Sequence, residues 1–456
     1  MSAAISRATS IHSISVVSNP FSSSRHELHD GSTPPEFASA TGRRRKFKSS
    51  RFRGTEYPKP WLEHVDPRKK WEKVIFWCAL LIGLLIGAVI CFFSYRSVSN
   101  HDYCLLFEDN FETLDTNIWN FETQRGGFGS GSFEWTSDDP QNSYVDAEGL
   151  HIVPTLTTES TDITEDDIND SYVLNLTTAG TCTAASKDEN DCSIRSNVTS
   201  GAIINPVRSA RLNTKGTKTI TYGRVEVVAK APVGDWLWPA IWMMPEPQGP
   251  DGHGAYGPWP ASGEIDIAEW RGNAGSKYPD GRDSVGSTLH WGPVYAADAF
   301  WRTSGKHNLR RTDFAEEFHT YGLEWSKNYL FMYVDTRLVQ VMFTKFNNYK
   351  SMWDHGDFGS AIVNKSALSN PWAQTGQANT PFDQPFYLIL NVAVGSTNGF
   401  FKDGVSNKPW GDESLSAPRE FWEAKHLWLP TWGEGDKRGM TVKSVKMWQE
   451  GKCGGA

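Results

Sequence analysis

The sequence has no Cys-x-x-Cys pair, no visible repeat of roughly 20–50 residues, and few long stretches of helical periodicity. Without paired cysteines a zinc site is disfavoured. Short alternating or apolar runs instead recur between Gly, Pro, Asn and Asp clusters, as at 223–231, 321–325, 330–335 and 386–395, which favours an all-β sandwich. A basic excess is also missing. The 45 Lys and Arg stand against 53 Asp and Glu, for a net charge of -8, and the basic residues crowd one end. That balance argues against nucleic acid as a partner of the main domain.

Cysteine is scarce, six in 456 residues. Cys78 and Cys91 fall inside an apolar run; Cys104, Cys182, Cys192 and Cys453 remain as an even set. In an oxidising compartment a Cys182–Cys192 bridge would close a small loop and Cys104–Cys453 would tie the ends of the domain, one of the three connectivities that four cysteines allow. Aromatics, by contrast, are plentiful at 13%, with 20 Trp. They suit either a large β core or a protein that stacks flat apolar ligand faces, sugars among them.

The chain divides by composition. Residues 1–73 are Ser-rich and then basic, through Arg43-Arg44-Arg45-Lys46 and Arg68-Lys69-Lys70, and read as a disordered cytoplasmic tail. Residues 74–94 are uncharged and apolar, about 30 Å long as a helix, with Trp71 and Trp77 at one end and Phe92, Phe93 and Tyr95 at the other. They read as a single transmembrane signal-anchor. The basic flank lies before it, so the positive-inside rule gives a type II protein whose remainder is luminal or extracellular. Residues 95–103 form a short stalk and 104–453 one large domain. The sequons at Asn169, Asn175, Asn197 and Asn364 fit luminal placement. Residues 155–197, with two cysteines and three of the sequons, read as a glycosylated surface loop.

Within the domain, Gly263-Glu264-Ile265-Asp266-Ile267-Ala268-Glu269-Trp270 concentrates acid chemistry. On a strand Glu264 and Asp266 share a face, while strict alternation sends Glu269 to the other. A bulge at Ile267 or Ala268 would bring Glu269 back. Two glutamates about 13 Å apart along the strand, leaning inward, would leave about 5 Å between carboxyls, the separation of a nucleophile and a general acid in a retaining glycosidase. Crowded carboxylates do not all ionise easily, so one is expected to stay protonated near neutral pH.

The neighbours sharpen this reading. Upstream stand Tyr222-Gly223-Arg224-Val225-Glu226-Val227-Val228-Ala229-Lys230 and Trp236-Leu237-Trp238-Pro239-Ala240-Ile241-Trp242; downstream stands Ser287-Thr288-Leu289-His290-Trp291-Gly292-Pro293. With Phe318 to Trp325, Tyr387 to Gly395, Gly399-Phe400-Phe401 and the run 440–449, the block resembles glycoside hydrolase family 16 on its laminarinase side, which includes endo-1,3-β-glucanases and β-1,3-glucan-recognition proteins. The resemblance, nearest to fungal-type members, implies a β-jelly-roll (concanavalin A-like) sandwich with a concave cleft and a cell-wall β-glucan as substrate. It implies Glu264 as nucleophile, Glu269 as acid and base, Asp266 as the group tuning both, and no cofactor or metal. Trp238, Trp242 and Trp291 become candidates for sugar stacking or for core. His290 is either a polar contact near the acid or a core histidine. Arg211 matches a cleft arginine or makes a surface ion pair, and Asn391 reaches the cleft or satisfies a neighbour's backbone.

Two departures stand out. Where laminarinases often carry Trp-Gly-Asn-Asn-Glu, residues 126–135 read Gly-Gly-Phe-Gly-Ser-Gly-Ser-Phe-Glu-Trp, and Lys443 stands where the family commonly offers a calcium-binding Asp. The expectation is thus a membrane-tethered β-glucan hydrolase or transglycosylase. The alternative is a non-catalytic β-1,3-glucan-binding lectin-like module, in which the acids would be idle.

Overall fold

The computed structural model describes residues 54, 59–63, 66–97, 101–184, 189–249 and 251–454. Most of the segment read as a disordered tail lies outside them. The described residues divide between two units, one ending at Arg96 and one beginning at Ser97. In the first, Arg68–Ser97 is one 30-residue helix. Its apolar stretch is unburied, and among the described residues it is the one helix long and apolar enough to cross a membrane.

The second unit is built on two eight-stranded antiparallel sheets. One runs Gln340–Lys345, Tyr329–Val334, His319–Trp325, Gly223–Lys230, Met440–Glu450, Gly149–Ile152, Ser143–Asp146, with Tyr103–Asp109 also paired to Met440–Glu450. The other runs Ser304–Asn308, Ser284–His290, Glu264–Glu269, Leu237–Pro245, Phe386–Val394, Arg211–Asn213, Asn120–Phe121, with Thr219–Ile220 also on Phe386–Val394. The all-β sandwich read from the sequence is therefore the fold. Gly223–Lys230 alternates buried and half-buried residues along its length, one face to the core and one away. Phe386–Val394 is buried throughout, as a strand covered on both faces must be. Between the sheets lies one aromatic-rich core: Trp325 meets Phe386 at 5.5 Å between ring centres, and Trp270 meets Tyr321 at 4.6 Å.

Disulfides join Cys104 to Cys453 and Cys182 to Cys192, the first linking the opening strand to the residues just after the closing one. The reading of 155–197 as a surface loop needs correction. The segment carries short helices and strands, among them Glu165–Asn169 capped by Thr164, and it buries Ile163, Ile168, Leu174, Leu176 and Cys192. Its apolar residues are few and most turn inward, Val173 excepted, so its polar composition masked a packed segment. Of its sequons, Asn197 is exposed while Asn169 and Asn175 are half-buried; outside it, Asn364 is exposed.

Candidate active site

The site rests on one irregularity. On one side of Glu264–Glu269, Asp266 pairs with Thr288 and Glu269 with Gly286; on the other, Asp266 pairs with Trp242 and Glu269 with Ala240. Three steps along the acid strand thus match two on each neighbour, which is a β-bulge. Trp242 and Ala240, two apart on a regular strand, share a face, so Asp266 and Glu269 share it too. Glu264, two before Asp266 and opposite His290, completes the row. Ser287, fully buried on the adjacent strand, donates its hydroxyl to the carbonyl of Ile267 at 2.7 Å, satisfying the bulged residue.

Each acid has its own surroundings. Glu264 accepts a 2.5 Å hydrogen bond from the indole of Trp259, and Glu269 one of 2.9 Å from the indole of Trp238. Asp266 is buried, its Oδ2 3.3 Å from His290 Nε2, with no well-aligned hydrogen bond to that oxygen. Burial, then the charges of Glu264 and Glu269, push Asp266 well above the usual carboxylate range. Burial also raises Glu269, opposed by His290 and the Trp238 hydrogen bond. Burial alone would lower the His290 imidazole, but its contacts with Asp266 and Asp298 and the field of Glu264 leave it well above its ordinary value. His290 lies with Nδ1 2.5 Å from Asp298 and Nε2 3.3 Å from Asp266.

Glu264, Asp266 and His290 place one donor atom each within 4.8 Å of one another, as do Asp146, His151 and Asp436 beside the other sheet. In the first cluster the His290 nitrogen that faces Asp266 is the atom that would serve a metal, while its other nitrogen is held by Asp298.

The other expected residues separate. Arg211, Asn391, Ala240 and Glu269 fall in one cross-strand row, so Asn391 and Arg211 face the same side as the acids. Asn391 Oδ1 accepts from the Trp242 indole at 2.7 Å. The Arg211 guanidinium lies between the rings of Phe128 and Trp242, at 3.9 and 4.7 Å, and pairs with Glu122 at 2.5 Å. It is buried rather than at the surface. Trp238 is half-buried on the acid face, but the ring of Phe400 stacks on it at 3.9 Å. Trp291 is corrected: it follows His290, points to the opposite face and is fully buried, its indole donating to Thr303. It is a core residue and not a sugar platform.

Several neighbours of the acids escaped the sequence reading. Trp259 precedes Glu264 by only five residues, and the turn through Pro258 to Gly263 folds it back over the strand end. Arg271 grips the Phe400 carbonyl at 2.6 and 2.9 Å and holds the Phe400 ring against Trp238. Asp298 arrives from a loop. The Glu-Ile-Asp-Ile-Ala-Glu pattern could have prompted a search of adjacent residues for Trp259, whereas nothing local marked Asp298.

Residues 162–384 match the sequence profile of glycosyl hydrolases family 16. The chain is 40% identical over 358 residues to a β-1,3-glucan-binding protein of Penaeus monodon, covering 76% of this chain and 90% of that protein. It is 31% identical over 303 residues to glucan endo-1,3-beta-glucosidase A1 of Niallia circulans, covering 64% of this chain but 34% of the relative. Among solved structures, the catalytic domain of an endo-1,3-beta-glucanase (laminarinase) from Thermotoga petrophila is similar at 22% identity and a TM-score of 0.47, over 77% of this chain and 100% of that one. The chain belongs to glycosyl hydrolases family 16.

Proposed function

We propose that the protein is a retaining, endo-acting β-glucan hydrolase or transglycosylase, taking β-1,3- or mixed β-1,3/1,4-glucan of a cell wall. The observation that carries this is the bulge, which sets Glu264, Asp266 and Glu269 on one face. In the reading, a Glu264 oxygen attacks the anomeric carbon as the glycosidic C–O bond breaks and protonated Glu269 gives its proton to the departing oxygen. The raised affinity of Glu269 for protons suits it to that role. Glu269 then takes a proton from water or a sugar hydroxyl, whose oxygen attacks the same carbon and releases Glu264. What attacks decides between hydrolysis and transfer. Burial and the charges of Glu264 and Glu269 favour the protonated form of Asp266 between them, and His290, 3.3 Å from it, favours its charged form, which offsets the negative charge gathered there. Arg211, Asn391, Trp242 and Trp238 line the same face as contacts for the sugar chain.

The helix Arg68–Ser97 is read as the membrane anchor, with its basic flank on the cytoplasmic side and the domain in the secretory lumen or outside the cell. Sequons exposed at Asn197 and Asn364 fit that placement.

A second reading, glucan binding without cleavage, is favoured by the relative named for binding. Reducing-end release from laminarin, and transfer to a labelled acceptor, separate the two. Glu264→Ala abolishes turnover and leaves binding if the protein is an enzyme. If the parent protein neither cleaves nor transfers, the binding reading stands.

A further inference from the structure

The side chain of Lys408 is 0% exposed. It belongs to a loop between strand Phe386–Val394 and helix Ala417–Glu423 that holds neither helix nor strand of its own. Its Nζ donates to the Phe401 carbonyl at 2.8 Å, to Asp403 at 2.7 Å and to Asp412, which uses every donor of an ammonium. It also lies 4.9 Å from the centre of the Trp410 ring. Burying an ammonium without partners is costly, so a shell this complete marks a point around which the loop is built.

The carbonyl next to it has a cation of its own. Arg271, just past the acid strand, donates to Phe400 O at 2.6 and 2.9 Å. Consecutive carbonyls of one loop are thus gripped by two basic side chains, Arg271 from outside the loop and Lys408 from within it. Phe401 is fully buried against Trp236 and Tyr278, which fixes the next residue as well. Phe400 is left little freedom. Its ring lies flat on Trp238, with 3.9 Å between centres and 10° between planes, and the Arg271 guanidinium sits 4.2 Å from its centre. The Trp238 indole backed in this way donates to Glu269 at 2.9 Å.

We infer that Lys408 is a positioning residue for Glu269: with Arg271 it clamps the Phe400–Phe401 backbone, seats the Phe400 ring on Trp238 and so fixes the indole N–H that Glu269 accepts. The inference rests on the proposed role of Glu269 as acid and base. Trp238 is only half-buried, and such a ring has other staggered rotamers open to it unless a neighbour blocks them. An indole that swings away leaves Glu269 without a donor that favours its ionised form. Glu269 also feels Glu264, Asp266, His290 and Arg271. Replacing Lys408 or Phe400 alters none of those four, so a change in how Glu269 titrates reports on Trp238.

The test uses the full-length chain in detergent, isotopically labelled at tryptophan for NMR. Loss of one signal in Trp238→Phe identifies the Trp238 indole N–H among those of the 20 Trp. In Lys408→Ala that signal is expected to shift or broaden. The alkaline limb of kcat/KM for laminarin is expected to move up with it, by as much as about one pH unit if the indole bond is lost outright. Propylammonium, which supplies the methylenes and ammonium that the substitution removes, is expected to restore both. Phe400→Leu removes no charge and keeps both clamped carbonyls, yet should move the limb the same way; it decides the matter if Lys408→Ala does not fold. A Trp238 signal unmoved in Lys408→Ala, or a limb unmoved in Phe400→Leu, overturns the inference. Lost stability with the limb in place also overturns it, reducing the clamp to a structural role. A parent that neither cleaves nor transfers fails the proposed function and takes the positioning of an acid with it, while the indole signal still reads whether Lys408 seats the ring.

Discussion

The hydroxyl of Ser287 lies 2.7 Å from the carbonyl oxygen of Ile267, the bulged residue between Asp266 and Glu269. A bulge leaves a backbone group without its ladder partner, and here the site is fully buried, so water cannot supply one. The side chain of one strand thereby holds the kink of the next, and with it the face that Glu269 occupies.

Ser287→Ala leaves that carbonyl unsatisfied and is expected to cost about 1–3 kcal/mol in stability. Per folded molecule, kcat falls at least severalfold while KM changes little, and Ser287→Thr restores part of it by returning the hydroxyl. Denaturant titration beside steady-state kinetics checks both. Lost stability with kcat intact would reduce Ser287 to a structural role.

The Trp238 indole donates to Glu269 and favours its ionised form, opposing the upward push of burial. Trp238→Phe removes that donor, so the Glu269 pKa rises further. Because the first step needs protonated Glu269, activity declines as pH rises through this pKa. The alkaline limb of kcat/KM therefore moves up, by about one pH unit if the lost bond is worth 1.5 kcal/mol. A limb that stays put or moves down would show that another group controls it.

Glu134 gives a pH dependence away from the acids. It is buried, accepting from Val394 N–H at 2.7 Å and Ser132 Oγ at 2.9 Å, and burial pushes it up from 4.5 to about 7. A folded-state pKa above the unfolded one means stability is full below about 4.5 and is lost as pH rises to about 7. Glu134→Gln keeps an acceptor for Val394 but cannot ionise. The parent should lose about 3 kcal/mol more than the variant between pH 4.5 and 8, read from urea midpoints. Parallel pH profiles would contradict this.

Much of this was legible in the sequence because it is encoded by period. The run at 386–394, apolar but for Asn391, announced a strand, and the three acids with one residue too many announced a bulge. Of the two readings left open for Trp291, sugar stacking or core, alternation decides: one step from His290 is the opposite face, and Trp291 is fully buried. The segment 155–197 misled through composition, since its few inward apolar residues, such as Ile168 and Leu176, are scattered among polar ones. Asp298 and Phe400 reach the acids from loops distant in sequence, and no local pattern records where a loop returns.

The covalent role of Glu264 is the claim on which the rest depends, and trapping tests it most directly. The protein is incubated with a 2-deoxy-2-fluoro laminaribiosyl donor bearing an activated leaving group, digested and sequenced by mass spectrometry. The expected result is one fluoroglycosyl adduct on Glu264, absent from Glu264→Gln. No adduct under conditions where laminarin is cleaved, or an adduct on Glu269 or elsewhere, would contradict the account.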